Sequence, residues 1–173
     1  MALFAMFGAA MYASKELMAV LPNIHLLGMF TMLLTLVYRS RALYPIYIYV
    51  FLNGLVYGFP TWWVAYLYVW AVLWGVTMLL PRGMKKAAAA AVCPAICALH
   101  GLAFGVLYAP WQAVAFGLSW DGMLAWIVAG LPFDALHAAG NLAAGLFIVP
   151  LTRLVARLSR RAGMECAPPG WAA

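Results

Sequence analysis

Charged residues are scarce in this chain, and their scarcity excludes most soluble folds. Only 8% of the 173 residues are Asp, Glu, Lys or Arg, whereas 68% are hydrophobic. Soluble domains carry about 25% charged and about 45–50% apolar residues. A spanning helix needs about 20 mostly apolar residues, so the length allows about five to seven spans and leaves no room for a second, soluble domain. The composition therefore predicts an all-α integral membrane protein folded as one compact bundle.

Sequence motifs for catalysis and metal binding are also missing. The chain has no HExxH, no paired CxxC and no GxxxxGK[ST] phosphate loop. Cys93 and Cys97 lie four residues apart in an apolar stretch, which favours simple packing over a disulfide framework. We therefore expect no metal, no cofactor and no enzymatic activity. If ATP drives a process in which this chain takes part, another chain must hydrolyse it.

Basic residues are confined almost entirely to three clusters, separated by two predicted spans each. Nine of the ten Lys and Arg residues belong to them: Arg39 and Arg41; Arg82, Lys85 and Lys86; Arg153, Arg157, Arg160 and Arg161. Positive residues concentrate in short cytoplasmic loops of membrane proteins. This distribution predicts that both termini are cytoplasmic, in a multi-pass protein of the bacterial inner membrane. It gives no reason to expect nucleic-acid binding.

Hydrophobic runs between turn residues predict six transmembrane helices. The predicted spans cover residues 2–20, 24–38, 42–57, 62–80, 86–108 and 131–161. The stretch 109–130 is apolar but interrupted by Pro110 and Gly117, so we expect an outer interfacial segment with a short helix before the last span. Residues 1–161 would then form a single six-helix membrane domain. Residues 162–173 would form a short, frayed cytoplasmic tail.

The last predicted span carries three polar residues on one face. Asp134, His137 and Asn141 follow an i, i+3, i+7 spacing, which places them on the same side of a helix. Ionisable residues inside a span are costly and face a cavity or a partner group. We predict that the three side chains line a ligand pocket. The alternatives are a polar clamp between helices, or a membrane-embedded enzyme that uses Asp134 and His137 as an acid/base pair.

Aromatic residues form a stripe along the fourth predicted span. Trp63, Tyr66, Trp70 and Trp74 follow an i, i+3, i+7, i+11 spacing. Such a stripe can stack a planar ligand ring, although it is also typical of core or lipid-facing packing. Tyr57, at the end of the preceding span, is predicted to complete the outer mouth of the site.

Lys15 is the one basic residue outside the clusters, and it stands beside Glu16 near the outer end of the first span. In one interpretation Lys15 extends to the membrane interface and pairs with Glu16. In the other it receives a ligand carboxylate, a phosphate or Asp134. The sequence leaves both possibilities open.

The first span also carries small residues at a spacing of four. The series consists of Ala5, Ala9 and Ala13. Small residues at this spacing allow another helix to approach closely. That helix can belong to the same bundle or to a separate subunit.

Five segments combine into a recognisable pattern. They are Ala13-Ser14-Lys15-Glu16, Leu21-Pro22-Asn23-Ile24, Leu55-Val56-Tyr57-Gly58-Phe59, Tyr66-Leu67-Tyr68-Val69-Trp70 and Gly130-Leu131-Pro132-Phe133-Asp134-x-x-His137-x-x-Gly140-Asn141. Together, over residues 6–154, they resemble the substrate-binding S components of energy-coupling factor (ECF) transporters. These are ABC-type importers for vitamins and related organic micronutrients.

The resemblance implies high-affinity capture of a vitamin-like small molecule in the outer half of the bundle. A separate transmembrane coupling subunit and two ATPase subunits would then deliver it across the lipid bilayer. Carried over to this sequence, Asp134, His137 and Asn141 become pocket residues, and the loop with Asn23 and His25 becomes a lid. The series Ala5, Ala9 and Ala13 would contact the coupling subunit. The identity of the ligand stays open, as does a structural or assembly role without a ligand.

Overall fold

The protein is entirely helical, apart from connecting loops, over residues 2–172, the part that this computed structural model describes. Its α-helices are α1 (Ala2–Leu17), α2 (Leu27–Tyr38), α3 (Leu43–Tyr57), α4 (Trp63–Met78), α5 (Lys86–Leu102), α6 (Phe104–Phe116), α7 (Trp120–Gly145) and α8 (Ile148–Arg161). Two short 3-10 helices cover Arg39–Ala42 and Gly170–Ala172. The prediction of an all-α fold is confirmed.

Helix α2 lies at the centre of the bundle. Eleven of its twelve residues are buried, because apolar and threonine side chains occupy its whole circumference. Helices α4 and α8 pack against α2, while α1 packs on α3. The longest helix, α7, packs along α5 and α6. Met32, Leu34 and Trp70 are fully buried between these helices.

One end of the bundle collects the basic clusters together with the beginning of α1 and the end of α8. The Phe4 ring packs edge-on against Tyr38 at a centroid distance of 5.2 Å. The hydroxyl oxygens of Tyr38 and Ser159 lie 2.6 Å apart. Arg39 donates from Nη2 to the carbonyl oxygen of Met78 at 2.9 Å. We call this the basic end; α1, α3 and the α5–α6 run lead from it to the opposite end.

The tail after α8 packs against the basic end, so the prediction of a frayed tail is wrong for its described residues. The Ala167 amide donates to the Val37 carbonyl oxygen at 2.8 Å. The Gly170 amide donates to the Arg82 carbonyl oxygen at 3.0 Å. These bonds, one to helix α2 and one to the loop between α4 and α5, hold the segment in place despite its proline and glycine content. Residue 173 lies outside the described residues.

The stretch 109–130 differs from the predicted interfacial segment, because nearly all of it is helical. Only a short turn separates α6 from α7. Gly117 ends α6 with a positive φ of 65°, and the Ser119 hydroxyl oxygen accepts the Gly122 amide at 3.1 Å as a helix N-cap. The boundary between α6 and α7 therefore depends on the turn formed by Gly117 and Ser119. Pro132, which was predicted to begin a helix, lies inside α7.

Two predicted spans contain an additional break. The helix predicted over 86–108 is broken at Ala103 and continues as α6, and the one predicted over 131–161 is interrupted between α7 and α8. Among the described residues, two helical runs are long and apolar enough to cross a membrane: Lys86–Phe116, of 31 residues, and Trp120–Gly145, of 26 residues. The shorter apolar helix α4 does not reach that length.

Candidate functional site

A cavity of about 240 Å³ lies beneath the loop 18–26, which connects α1 to α2 at the end opposite the basic end. The loop forms one wall with Asn23 and His25. Lys15 of α1, Tyr66 of α4, Phe104 of α6 and His137 of α7 complete the lining. The fold thus brings together five residues that the sequence predicted from separate segments: Lys15, Asn23, His25, Tyr66 and His137.

A larger groove of about 490 Å³ runs along α3, but its chemistry differs. Only apolar and aromatic side chains line it, among them Leu43, Tyr47 and Phe51. Specific ligand sites combine apolar walls with a few convergent polar groups. The cavity beneath the loop 18–26 has both, and it is therefore the candidate site.

Five aromatic rings pack together at this cavity: four of them line it, and the fifth, Trp70, is fully buried against them. The His25 and His137 rings meet edge to face at a centroid distance of 4.6 Å, and Phe104 lies 4.9 Å from His137. Trp70 lies 5.7 Å from His25 and 5.8 Å from Tyr66. We call these five residues the aromatic floor. It joins the loop to α4, α6 and α7.

Three nitrogen atoms of the aromatic floor are buried without a hydrogen-bond partner among residues 2–172. They are His25 Nδ1, Trp70 Nε1 and His137 Nε2. A buried polar atom left unpaired costs about 1–3 kcal/mol. Burial also lowers the pKa of the His25 imidazole to about 4, so this ring is neutral at pH 7. A neutral imidazole offers one donor and one acceptor nitrogen, but the three unpaired nitrogens are themselves buried, so a ligand reaches them only after side chains of the floor move.

The mouth of the cavity holds one closed ion pair. Lys15 Nζ lies 3.0 Å from Glu16 Oε1 and 4.5 Å from the centroid of the Tyr57 ring. The Tyr57 hydroxyl donates to the Glu16 carboxylate at 2.9 Å. Of the two interpretations of Lys15, the structure contains the pairing with Glu16, and its contact with the cavity leaves a ligand role open. Glu16 and Tyr57 do not line the cavity; they hold Lys15 at its edge.

Asp134 lies behind the aromatic floor and outside the cavity lining. Its carboxylate accepts the Gly105 amide at 3.1 and 3.2 Å, and the side chain is 6% exposed. Gly105 lies in the first turn of α6, where backbone amides have no partner within the helix. A carboxylate is also favourable at the positive end of the helix dipole. The arrangement matches the polar clamp, with α7 capping α6 at the break after Ala103.

Asn141 is fully buried between three helices and also lies outside the cavity. Its Nδ2 donates to the Cys97 carbonyl oxygen of α5 at 3.1 Å. Glycines make room for the amide: a β-carbon at Gly101 would lie 2.9 Å from Nδ2, and one at Gly28 would lie 3.1 Å from Oδ1. Asn141 therefore fastens α7 to α2 and α5.

The four aromatic residues of the α4 stripe have two different surroundings. Its middle members, Tyr66 and Trp70, belong to the aromatic floor, but only Tyr66 lines the cavity, because Trp70 is fully buried. At the ends, Trp63 Nε1 donates to a carbonyl of α3 at 2.7 Å, and Trp74 Nε1 donates to the Arg39 carbonyl at 3.2 Å. Trp63 thus packs α4 onto α3 and does not line the cavity.

The small-residue series of α1 faces away from the bundle. Ala5, Ala9 and Ala13 are all exposed. The packing of α1 on α3 uses Gly8 instead, where a β-carbon would lie 2.5 Å from Cγ2 of Ile48. Within the described residues, no helix of the bundle covers the alanine series.

Some residues that line the cavity were not predicted from the sequence, namely Phe104 of α6 and Met18 and Ala19 of the loop. Phe104 has no polar or periodic signal, and it is the first residue of α6, directly after the break at Ala103. Ile24 packs against Gly140, where a β-carbon would lie 3.2 Å from its Cγ2. Gly140, which precedes Asn141 in the last motif, was the one sequence signal for this contact, since a glycine within a helix often marks close packing.

Comparison of this chain with protein-family models, curated proteins and solved structures found no match.

Proposed function

We propose that this chain is the ligand-capturing S component of an ECF-type ABC importer in the bacterial inner membrane. One observation carries the proposal: a cavity lined by aromatic rings and by polar side chains, among them Lys15, Asn23 and His137, lies beneath a loop that can act as its lid. The resemblance of five sequence segments to ECF S components supports the same function. The ligand would be a vitamin or a related organic micronutrient.

Exposed apolar side chains support a membrane location. Phe51 is 53% exposed, Val114 76% and Val128 64%, on three different helices. Soluble monomers rarely expose contiguous apolar surface of this kind. In the proposed topology α1 to α4 are four spans, and α5–α6 and α7–α8 are the fifth and sixth. The basic end then faces the cytoplasm, with both termini.

The loop 18–26 has the properties of a lid. In the described part of the chain, its backbone hydrogen bonds are all local, such as Leu21 N to Met18 O at 2.9 Å. Contact with the bundle depends on side chains, chiefly Ile24 against Gly140 and His25 against His137. Such a loop can lift from the cavity without breaking backbone hydrogen bonds to other helices.

The exposed series Ala5, Ala9 and Ala13 is suited to the coupling subunit. Small side chains allow close helix approach in a bilayer, and α1 presents them outward over three turns. Capture and coupling would then use different faces of α1, because Lys15, in the last turn of α1, contacts the cavity.

The geometry does not favour the acid/base alternative. Among residues 2–172 no hydrogen bond or ion pair joins Asp134 to His137, and the Asp134 carboxylate is occupied by the Gly105 amide. Capture by binding needs no such pair.

Purification from native membranes in mild detergent tests the proposal. Mass spectrometry of the isolated material is expected to find a transmembrane coupling subunit, two ATPase subunits and a small organic molecule. Isolation of the chain alone, with turnover of a substrate that is lost in His137→Ala without loss of affinity, would instead support an enzyme.

A further inference from the structure

We propose that helix α8 binds the headgroups of anionic phospholipids along the face formed by Arg153, Arg157, Arg160 and Arg161. This surface, which we call the arginine face, belongs to the basic end, opposite the cavity beneath the loop 18–26. Binding there goes beyond the proposed function, because it requires a membrane location but no captured ligand.

Helix α8 is the most amphipathic helix of the described chain, because its charged and apolar side chains are segregated around the helix axis. One face packs against the bundle, where the Ser159 hydroxyl oxygen lies 2.6 Å from that of Tyr38. The arginines occupy a second face. At 100° per residue, Arg153, Arg157 and Arg160 fall within about 60° of arc, and all three are exposed. The spacing therefore aligns their guanidinium groups along about two turns of the helix.

A third face of α8 is apolar and lies beside the arginines on the helix circumference. Leu151, Leu154 and Leu158 fall within a similar arc of about 60°. Leu154 is 47% exposed and Leu158 is 52% exposed, so this face is open to the surroundings of the bundle. The outer surface of α8 thus presents a charged strip and an apolar strip side by side.

The arginine face has no acidic side chain as a partner among residues 2–172. The sequence contains only four acidic residues, Glu16, Asp121, Asp134 and Glu165. The first three lie away from the basic end, and Glu165 is paired with Arg41 at 2.6 Å. The described ion pairs involve no arginine of α8. The negative charges that neutralise this face must therefore come from outside the chain.

An anionic phospholipid satisfies both exposed strips of α8 at once. A guanidinium group binds phosphate oxygens in bidentate fashion, and the acyl chains of the same lipid cover the leucines. Near a membrane surface, each basic side chain strengthens the attraction to anionic lipid by about fivefold. A free anion or an acidic peptide would satisfy the arginines alone and leave the leucines exposed. The two adjoining strips therefore favour a lipid.

Native mass spectrometry of the delipidated chain in detergent tests this site by measuring lipid affinity. The probes are phosphatidylglycerol and phosphatidylcholine with identical acyl chains, and inorganic phosphate as a free anion. We expect phosphatidylglycerol to bind more tightly than phosphatidylcholine by about tenfold or more. The double variant Arg153→Gln, Arg157→Gln changes only exposed positions. It should weaken phosphatidylglycerol binding by about tenfold or more and leave phosphatidylcholine binding unchanged.

The double variant Lys85→Gln, Lys86→Gln is the matched control, because it removes the same charge from exposed positions of the basic end outside α8. It should weaken phosphatidylglycerol binding by no more than about twofold. An equal loss in the two double variants overturns the proposal, because it indicates attraction by net charge alone. Equal affinity for the two lipids also overturns it.

Two further outcomes would assign the arginine face to another partner and overturn the proposal. One is binding of inorganic phosphate as tight as that of phosphatidylglycerol, which indicates an anion site without a lipid. The other is loss of a co-isolated protein subunit in Arg153→Gln, Arg157→Gln with unchanged lipid affinity, which indicates a protein interface. The small-molecule content of the cavity is measured separately, so each of these outcomes leaves ligand capture standing.

Discussion

Buried polar side chains divide into two groups at the scale of single residues, according to whether the protein supplies their partners. The Asp134 carboxylate and the Asn141 Nδ2 atom are bound to backbone groups of neighbouring helices. His25 and His137 have buried nitrogens without partners in the described chain, and their rings line the cavity. We attribute stability to the Asp134 and Asn141 bonds, and we propose ligand contact for the two histidine rings.

The Asp134 carboxylate is expected to stabilise the fold by capping α6. Asp134→Ala should lower the free energy of unfolding by about 1–3 kcal/mol, because it leaves the Gly105 amide unpaired. Asp134→Asn retains an acceptor and should lose less. Denaturant unfolding in detergent measures both, and ligand affinity serves as the control. Loss of affinity with unchanged unfolding in Asp134→Asn would place this carboxylate in the binding site.

His25 gives the protein a pH-dependent stability. Its pKa is lowered to about 4 in the folded state, against about 6.5 for an unperturbed histidine. The unfolded chain therefore binds a proton first as the pH falls, and stability decreases from about pH 6.5 towards pH 4. At pH 5 the loss due to His25 is about 2 kcal/mol. In unfolding measured at pH 7.5 and pH 5, His25→Gln should lose less stability than the wild type. An identical loss in both would contradict the assignment.

Residue spacing predicted part of the site and missed the rest for a physical reason. The period of 3.6 residues correctly placed Asp134, His137 and Asn141 on one helix face directed into the bundle. Which of them meets a cavity depends on the neighbouring helices. The break at Ala103 leaves the Gly105 amide available to Asp134, and Gly28 and Gly101 enclose Asn141. A single helix pattern contains no information about those neighbours.

At the scale of helices, boundaries depend on turn chemistry more than on hydrophobicity. The stretch 109–130 contains Pro110, which suggested an interrupted segment, yet Pro110 lies within α6. Gly117 and Ser119 end one helix and begin the next. The hydrophobic pattern therefore predicted that these helices exist, but it did not predict the residues at which they begin and end.

The outward face of α1 is expected to serve coupling and not capture. Ala9→Trp places a large ring where close helix approach is required. It should abolish co-isolation of the coupling subunit while the chain keeps its small molecule. Val114→Trp on α6 is the control, because position 114 is also exposed but lies on another face. Retained co-isolation in Ala9→Trp would remove this face from the coupling interface.

At the scale of the whole molecule, the two ends of the bundle differ in charge and in proposed environment. The basic end holds the arginine clusters and the packed tail, while the cavity and the turn 117–119 lie at the opposite end. Composition predicted a helical membrane protein, and the all-α fold is confirmed. The arrangement of the helices around α2 depends on long-range packing that no local pattern encodes.

Cysteine labelling in spheroplasts tests the proposed orientation. In a chain with its three cysteines replaced, Asp121→Cys should react with a membrane-impermeant maleimide added outside. Ser40→Cys should react only after the membrane is permeabilised. Both positions are exposed in the structure, so access depends on the side of the membrane. The reverse pattern would invert the topology, and labelling of both in sealed spheroplasts would argue against a spanning bundle.

Capture in the cavity beneath the loop 18–26 predicts a fixed ligand content per purified chain. Quantitative mass spectrometry should find about one small molecule per wild-type chain. The same occupancy is expected in Phe51→Ala, which alters only the apolar groove of α3. His137→Leu and Phe104→Leu should reduce the content about tenfold or more in folded protein. A wild-type chain without ligand, or equal content in all four proteins, would contradict the account.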